Sequence, residues 1–302
     1  MDKAPRNSLI SWIAATRPWS FTASALTVMV TLAYLEWRVG GVDWVNGGWA
    51  VVAIVFFHAG GNTWSDWHDF RKGVDAADTY GVDTLTSGRF SPNSILNLSL
   101  ALYGVAILLG VGLMLRTGLP LLWIGLAGFV CALLYPPLKY RAWGDVVIML
   151  NYCLLPALGT SYVAIGQLAL SALWVALPVG VLVDAILHAN NTRDMRTDRR
   201  AHTRTLAHML GVGGSRVLYI SEALLPFVWV VVAAGLGLLP LWCGVVVVLL
   251  PMALSNCRAM LAYTSEAEAA AISSLDIHSA KLQLLFSLAL VLSLLLPAWL
   301  LP

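Results

Sequence analysis

The sequence predicts an all-α polytopic membrane protein, with about nine transmembrane helices in a single bundle around a central cavity. Three observations predict it. The 302 residues are 59% hydrophobic and only 11% charged, and their mean hydropathy of +0.78 is too apolar for a soluble domain. The apolar residues fall in runs of roughly the 20 residues that an α-helix needs to cross a bilayer. Of the 18 Lys and Arg, all but Arg38 and Arg116 fall in connections on one side, the side that basic residues mark as cytoplasmic.

The elements follow in order. The opening stretch MDKAPRNSLISWIAATRPW has no cleavable signal pattern and reads as an interfacial helix on the cytoplasmic side, with Lys3, Arg6 and Arg17. Spans at 20–37 and 47–65 carry the chain out past Arg38 and back to a long connection, 66–93, that holds Arg71, Lys72 and Arg89. Spans at 94–115 and 119–136 pass Arg116 outside and return to Lys139 and Arg141. Spans at 145–165 and 169–190 lead to the basic connection 191–216, and spans at 217–237 and 239–257 lead to the connection 258–280. A ninth span, 281–300, closes the chain. Trp12, Trp19, Trp37, Trp44, Trp143 and Trp242 fall near span ends, where an interfacial belt is expected. Cys131, Cys153, Cys243 and Cys257 lack CxxC spacing and read as small packing residues, and the six His lack zinc spacing. No linker divides the chain, so residues 1–302 read as one transmembrane domain.

Six of the sixteen carboxylates sit in two stretches at the polar ends of apolar segments, GNTWSDWHDFRKGVDAAD at 61–78 and NNTRDMRTD at 190–198. On a helix of 3.6 residues per turn, Asn62, Asp66 and Asp69 share one face, as do Asn190, Asp194 and Asp198. Each face is a row of oxygen donors. Carboxylates crowded this closely repel unless a cation intervenes, and Mg2+ takes one or two carboxylates together with substrate phosphate. Two such rows meeting across a cavity would hold a diphosphate between metals. The first row follows the second span and the second follows the sixth, so a four-span unit is echoed, with the ninth span appended.

These residues resemble the UbiA superfamily of intramembrane prenyltransferases, and within it the 1,4-dihydroxy-2-naphthoate polyprenyltransferases of menaquinone synthesis. RPWSFTAS at 17–24 resembles that branch's opening motif, NTWSDWHDFRKGVDAAD its first Asp-rich motif, and NNTRDMRTD its second, the most specific of the three. The resemblance implies that Asn62, Asp66, Asp69, Asn190, Asp194 and Asp198 face Mg2+ and diphosphate. It implies that Lys72, Lys139 and Arg193 lie near the diphosphate and that Tyr135 is a pocket aromatic. Ser65 stands where many members have a second Asn, Gly73 where some have an Asp that is displaced here to Asp75. His202 and Thr203 replace a common Gly-Lys, with Arg204 the candidate substitute. The expected partners are a polyprenyl diphosphate, a small aromatic acid and the lipid bilayer, at the inner (cytoplasmic) membrane. No feature points to nucleic acid, and none specifies an oligomeric state.

Blander readings stand beside these. A single acidic loop on a membrane protein is ordinarily a solvated face; two at helical spacing on one membrane side, each with an Asn one turn earlier, are not. Lys139 and Arg141 also serve the positive-inside pattern. Asp184 lies inside the sixth span, where a carboxylate costs about 2.5–3.5 kcal/mol, with His188 one turn on; the two read as a structural pair or, with Asn191, as part of an acceptor pocket. Glu222 and Asn151 are further intramembrane polar residues without an assignment. A different acceptor, such as 4-hydroxybenzoate, homogentisate or a glycerol phosphate, keeps the same donor chemistry. A cation-coupled transporter and a lipid-binding scaffold are the readings from other classes.

Overall fold

The structure is a computed structural model that describes residues 8–75, 80 and 84–300, the last four of these by backbone alone. Lys3, Arg6 and Asp78 of the sequence patterns lie outside the described residues. Among the described residues, nine helical segments are long and apolar enough to cross a membrane, as the hydropathy predicts. The short helix α1 (Leu9–Ala15) precedes them, capped by Ser8, whose hydroxyl accepts from the Ser11 amide. It exposes Leu9 and Ile10, as an interfacial helix should.

The first spans are α2 (Thr22–Val39), α3 (Trp44–Lys72), α4 (Pro92–Thr117) and α5 (Pro120–Lys139). The fifth is composite: α6 (Gly144–Met149), a π-helical turn (Leu150–Leu154) and α7 (Leu155–Ile165). Then come α8 (Leu173–Arg193), the short α9 (Met195–Arg200) and α10 (Leu206–Gly235). A 3₁₀ stretch (Leu241–Leu249) leads into α11 (Leu250–Ala262), and α12 (Leu275–Leu300) ends the bundle. Asp43 starts α3 by accepting from the Asn46 amide at 2.9 Å. Gly73, in the left-handed region at φ 75°, stops it one residue after Lys72.

Three boundaries differ from the hydropathy reading, each for a physical reason. Helix α3 continues two turns past the apolar run, held by Trp67 and Phe70 packed on Ala15, Phe90 and Ile95 and by the pairing of Asp66 with Arg17 and Asp69 with Lys139. Helix α10 begins at Leu206 rather than near 217, because the sequence HMLGVGGSR is too polar and glycine-rich to register as a span; Gly211, at φ 64° and ψ 179°, interrupts it. Helix α8 ends at Arg193. Asp194 leaves the helix at φ −91° and ψ 4°, so Asn190, Asp194 and Asp198 do not form one continuous helical row.

Helices α2, α8 and α12 form the interior, around Val30, Leu35, Val175, Val179, Phe286 and Leu290. Helices α4 and α5 turn Leu108, Leu115, Trp123 and Leu126 outward, as lipid-facing helices do. Lipid supplies no hydrophobic drive between helices, so close approach depends on small residues. Gly180 of α8 is one: a Cβ there would stand 2.4 Å from the Cys153 Cβ of the π turn. Cys153 is thus a packing residue, as its sequence context predicts, and all four cysteines are free.

Candidate active site

The ends of α3 and α8, the second and sixth spans, open on one cavity of about 380 Å³. From α3, Asn62, Ser65 and Asp69 line it. Asp69 is fully engaged: Oδ1 accepts from the Tyr140 hydroxyl at 2.7 Å, and Oδ2 from Lys139 Nζ at 3.0 Å and Ser65 Oγ at 3.3 Å. Asp66, one turn earlier, is buried just off the cavity wall and ion-paired with Arg17. Its second oxygen has no hydrogen-bond partner. Asn62 holds the turn that presents Arg17, donating to the Thr16 carbonyl at 2.9 Å and to Ser20 Oγ at 3.0 Å. Ser20 Oγ in turn donates to the Arg17 carbonyl at 2.8 Å. Arg17 itself adopts φ 57°, ψ 59°, a left-handed conformation that costs an L-residue about 1 kcal/mol and persists only where its surroundings hold it.

From the second segment, Asn190, Asn191, Arg193, Asp194, Thr197 and Asp198 line the same cavity. The break after Arg193 lets the Asp194 carboxylate fold back onto the neighbouring guanidinium, accepting from Nε and Nη2 at 2.8 Å each. Arg193 Nη1 reaches across to Asp276 at 3.0 Å, at the start of α12. Asp198 returns to the cavity because α9 restarts from Asp194, whose carbonyl accepts the Asp198 amide at 2.9 Å.

Crowded acid raises proton affinity at this mouth. Burial, then the Asp69 and Asp66 carboxylates, pushes Asp75 up to about 7. Burial likewise takes Asp198 to about 7, against the pull of Lys139. Burial raises Asp194 despite Arg193. Burial alone would discharge Arg17, but Asp66, Asp75 and Asp69 outweigh it and hold the guanidinium charged. Such a mouth stores affinity for added cations.

The residues singled out in the sequence are distributed as follows. Asn62, Asp69, Tyr135, Lys139, Asn190, Asn191, Arg193, Asp194 and Asp198 line the cavity. Lys72 is exposed, its ammonium 5.1 Å from the Tyr140 ring centroid. Arg204 is also exposed and is tied through its backbone amide to the Tyr140 carbonyl at 3.1 Å. Asp184 and His188 are buried on α8 away from the cavity lining. The structure adds Arg17, Asp75, Tyr140 and Asp276. Arg17 and Asp75 lay within quoted motifs without a role, and Tyr140 adjoins Lys139. Asp276, beyond a long connection, carried no signal at all.

A second cavity of about 360 Å³ adjoins the first and is walled by apolar residues, among them Val28, Ile54, Leu113, Ile124 and Leu155. Phe57 and Asn151 line both cavities and so form the threshold between them. Asn151 lies on the π-helical turn, a feature that recurs at functional sites. The carbonyl of Tyr152 in that turn is taken by Thr27 Oγ1 at 2.8 Å.

A membrane bundle that brings an acid- and cation-lined mouth against an apolar chamber is of the class that handles a molecule charged at one end and greasy at the other. The chain belongs to the UbiA prenyltransferase family, whose family model matches residues 24–285. It is 33% identical over 228 residues to UbiA prenyltransferase domain-containing protein 1 of Gallus gallus, covering 74% of this chain and 68% of that protein. It is 27% identical over 241 residues to the 1,4-dihydroxy-2-naphthoate octaprenyltransferase of Bacillus subtilis, covering 78% of this chain and 77% of that one. Its fold matches that of a UbiA homologue from Archaeoglobus fulgidus bound to GPP and Mg2+, with a TM-score of 0.57 at 12% identity, over 93% of this chain and 99% of that one.

Proposed function

We propose that this prenyltransferase moves a polyprenyl group from its diphosphate to 1,4-dihydroxy-2-naphthoate, with loss of CO2, giving demethylmenaquinol. The observation that carries the reading is the convergence of two acidic segments, more than a hundred residues apart in the chain, on one polar mouth that shares Phe57 and Asn151 with an adjoining apolar chamber. The Bacillus subtilis relative supports the choice of acceptor. The whole chain acts as one domain, with its N-terminus and polar mouth on the cytoplasmic face of the inner membrane, the side to which the Lys and Arg distribution points.

The mouth suits magnesium diphosphate on the chemistry of its donors. They are carboxylate and amide oxygens, and Asp66 keeps a buried oxygen without a partner. Among the described residues, no three His, Cys, Asp or Glu stand close enough to hold an ion by themselves. That fits Mg2+, which completes its shell with phosphate oxygens and water. Asn62, Asp66 and Asp69 on one side, and Asn190, Asp194 and Asp198 on the other, would hold it; when bound, it neutralises the charge that develops on the departing diphosphate.

The chain's own residues do the rest. Lys139, Arg193 and Arg17 clamp the diphosphate, adding fixed positive charge where the C–O bond breaks. Lys72 and Arg204, exposed beside Tyr140, draw the anion toward the mouth rather than touching it. The apolar chamber takes the isoprenoid tail and keeps water from the allylic cation. The electron-rich ring then attacks at the threshold, close to Tyr135. The test is mass spectrometry of quinones in membranes of a host lacking its own naphthoate prenyltransferase. Prenylated naphthoquinone, absent when EDTA is added to an in vitro assay, is expected. Prenylation of 4-hydroxybenzoate or a glycerol phosphate alone would replace the acceptor, and cation uptake without product would replace the reaction.

A further inference from the structure

Behind the wall of the cavity lies a second acidic group that the reading above leaves unused. Asp145 at the start of α6, Asp184 on α8 and Glu222 on α10 are 7%, 9% and 6% exposed, and they interact with one another electrostatically. Both oxygens of Asp145, Oδ1 of Asp184 and Oε2 of Glu222 lack a hydrogen-bond partner. Among the described residues no Lys or Arg forms an ion pair with any of the three. His188, fully buried, points into the group. Its Nε2 donates to the Ser215 carbonyl at 3.2 Å, and its Nδ1, without a hydrogen-bond partner, stands 3.8 Å from Asp145 Oδ1.

Carboxyls enclosed together with no Lys or Arg partner disfavour one another's ionised forms, so such a group can take up and give back a proton. Ionisable residues inside membrane-spanning helices are costly enough to imply use. The group also has an outlet. Tyr135 lines the cavity one helical turn before Lys139, on α5, the helix that packs against α6. Val147 and Ile148 of α6, and Val183 and Leu187 of α8, are the cavity wall next to the acidic residues themselves. Of the mouth carboxylates, Asp69, Asp66 and Asp194 are each paired with a cation.

We propose that Asp145, Asp184 and Glu222, reached through the Tyr135 hydroxyl, are the proton store that activates the aromatic acceptor; the inference rests on the acceptor reading above. The acceptor O–H bond breaks. Its proton passes to Tyr135 as the Tyr135 proton passes to the cluster carboxylate. The oxygen's electron pair enriches the ring, the ring carbon that bears the carboxylate bonds to the first carbon of the prenyl chain, and the C–O pair leaves with the diphosphate. The bond to the carboxylate then breaks, CO2 departs and its electron pair restores the aromatic ring. The stored proton returns through Tyr135 to the acceptor oxygen. No proton is gained or lost over the exchange. Tyr135 is the residue that touches substrate, and the three carboxyls act through it.

The experiment measures steady-state kinetics of full-length Asp184→Asn, Glu222→Gln and Tyr135→Phe in detergent, with naphthoate acceptors whose hydroxyls span a range of acidity. A kcat at least tenfold lower is expected in each, with the prenyl diphosphate KM within twofold of wild type. The deficit should shrink as the acceptor becomes more acidic, because an acceptor already ionised needs no base, and Asp184→Glu should restore rate. A deficit independent of acceptor acidity would reduce the cluster to a structural role, and wild-type kcat in Asp184→Asn and Glu222→Gln together would overturn the proposal. Should a variant lose its fold, the solvent isotope effect on the wild-type enzyme decides: a normal effect on kcat that fades with acidic acceptors supports the store, and none with any acceptor overturns it. Failure of the wild-type enzyme to prenylate any naphthoate is a separate result that removes the acceptor reading.

Discussion

Two sets of carboxyl groups are buried in this bundle and are held in opposite ways. At the mouth, Asp66 is paired with Arg17, Asp69 with Lys139 and Asp194 with Arg193. One helix layer away, Asp145, Asp184 and Glu222 share a space with a histidine and no Lys or Arg partner. Each member of the first set has a cation beside it; when substrate arrives, the carboxylate can exchange that cation for a metal, and the cation can turn to a diphosphate oxygen. The second set has no Lys or Arg partner, and it is to this set that we assign the proton store. Burial alone therefore does not define what a carboxyl does in a membrane protein; the charge of its neighbours does.

The comparison is tested most severely at the mouth. Asp69→Ala or Asp194→Ala should lower kcat at least about 100-fold, the scale on which loss of a transition-state electrostatic group is felt, while a purified variant still elutes as a folded protein in detergent. These side chains sit at helix ends facing the cavity and contribute little apolar packing. Full turnover in either variant would remove the mouth from the mechanism and leave the two sets without a functional difference.

The next effect is on stability. Lys139→Met leaves Asp69 with its hydroxyl donors Tyr140 and Ser65 but no cation. Breaking an enclosed ion pair from one side costs about 3–5 kcal/mol, and somewhat less where the pair borders a polar opening, as here. Chemical denaturation should show a loss of about 2–3 kcal/mol, partly recovered by Mg2+. The opposite sign is expected in the second set. Glu222→Gln replaces an acid by a neutral isostere where no counter-ion is lost, so its thermal midpoint should equal or exceed that of wild type. A large drop there would mean that Glu222 has a cationic partner, and the contrast between the sets would close.

Much of this architecture was legible in the sequence because a bilayer imposes one simple rule, an apolar run long enough to cross it, and the span count follows from that rule alone. The site was legible where the chemistry repeats at a helical period, as in Asn62, Asp66 and Asp69. It was illegible where the backbone departs from that period. The break at Asp194 and the left-handed turn at Arg17 are set by tertiary hydrogen bonds, Asn62 to Thr16 and Ser20 in the second case, and no local pattern announces them. The trio of inner acids was visible only in fragments. Asp184, His188 and Glu222 each stood out as a polar residue in an apolar span, but their convergence with Asp145 depends on how α6, α8 and α10 pack.

A smaller effect follows from proton affinity at the mouth. Asp75 and Asp198 ionise near 7 rather than near 4, so below that pH a cation must displace protons to bind, and above it need not. The Mg2+ concentration for half-maximal activity should rise as pH falls from 8 to 6, and the rise should be weaker in Asp198→Asn. A flat Mg2+ requirement across that range would separate these two carboxyls from the metal.

The smallest change expected is at Ser65, which lines the cavity and donates to Asp69 Oδ2 at 3.3 Å, a long bond beside the 3.0 Å contact from Lys139. Ser65→Asn keeps a donor for Asp69 and adds an amide oxygen on the cavity face of α3, one turn from Asn62. Activity should stay within about twofold of wild type, since the bond exchanged is a long one and Asn keeps a donor for Asp69, and the Mg2+ requirement should fall slightly. A dead Ser65→Asn enzyme would mean that the α3 face is turned relative to the cavity by a residue. The pairing of Asp69 with Lys139, on which the contrast with the inner carboxyls rests, would then fail with it.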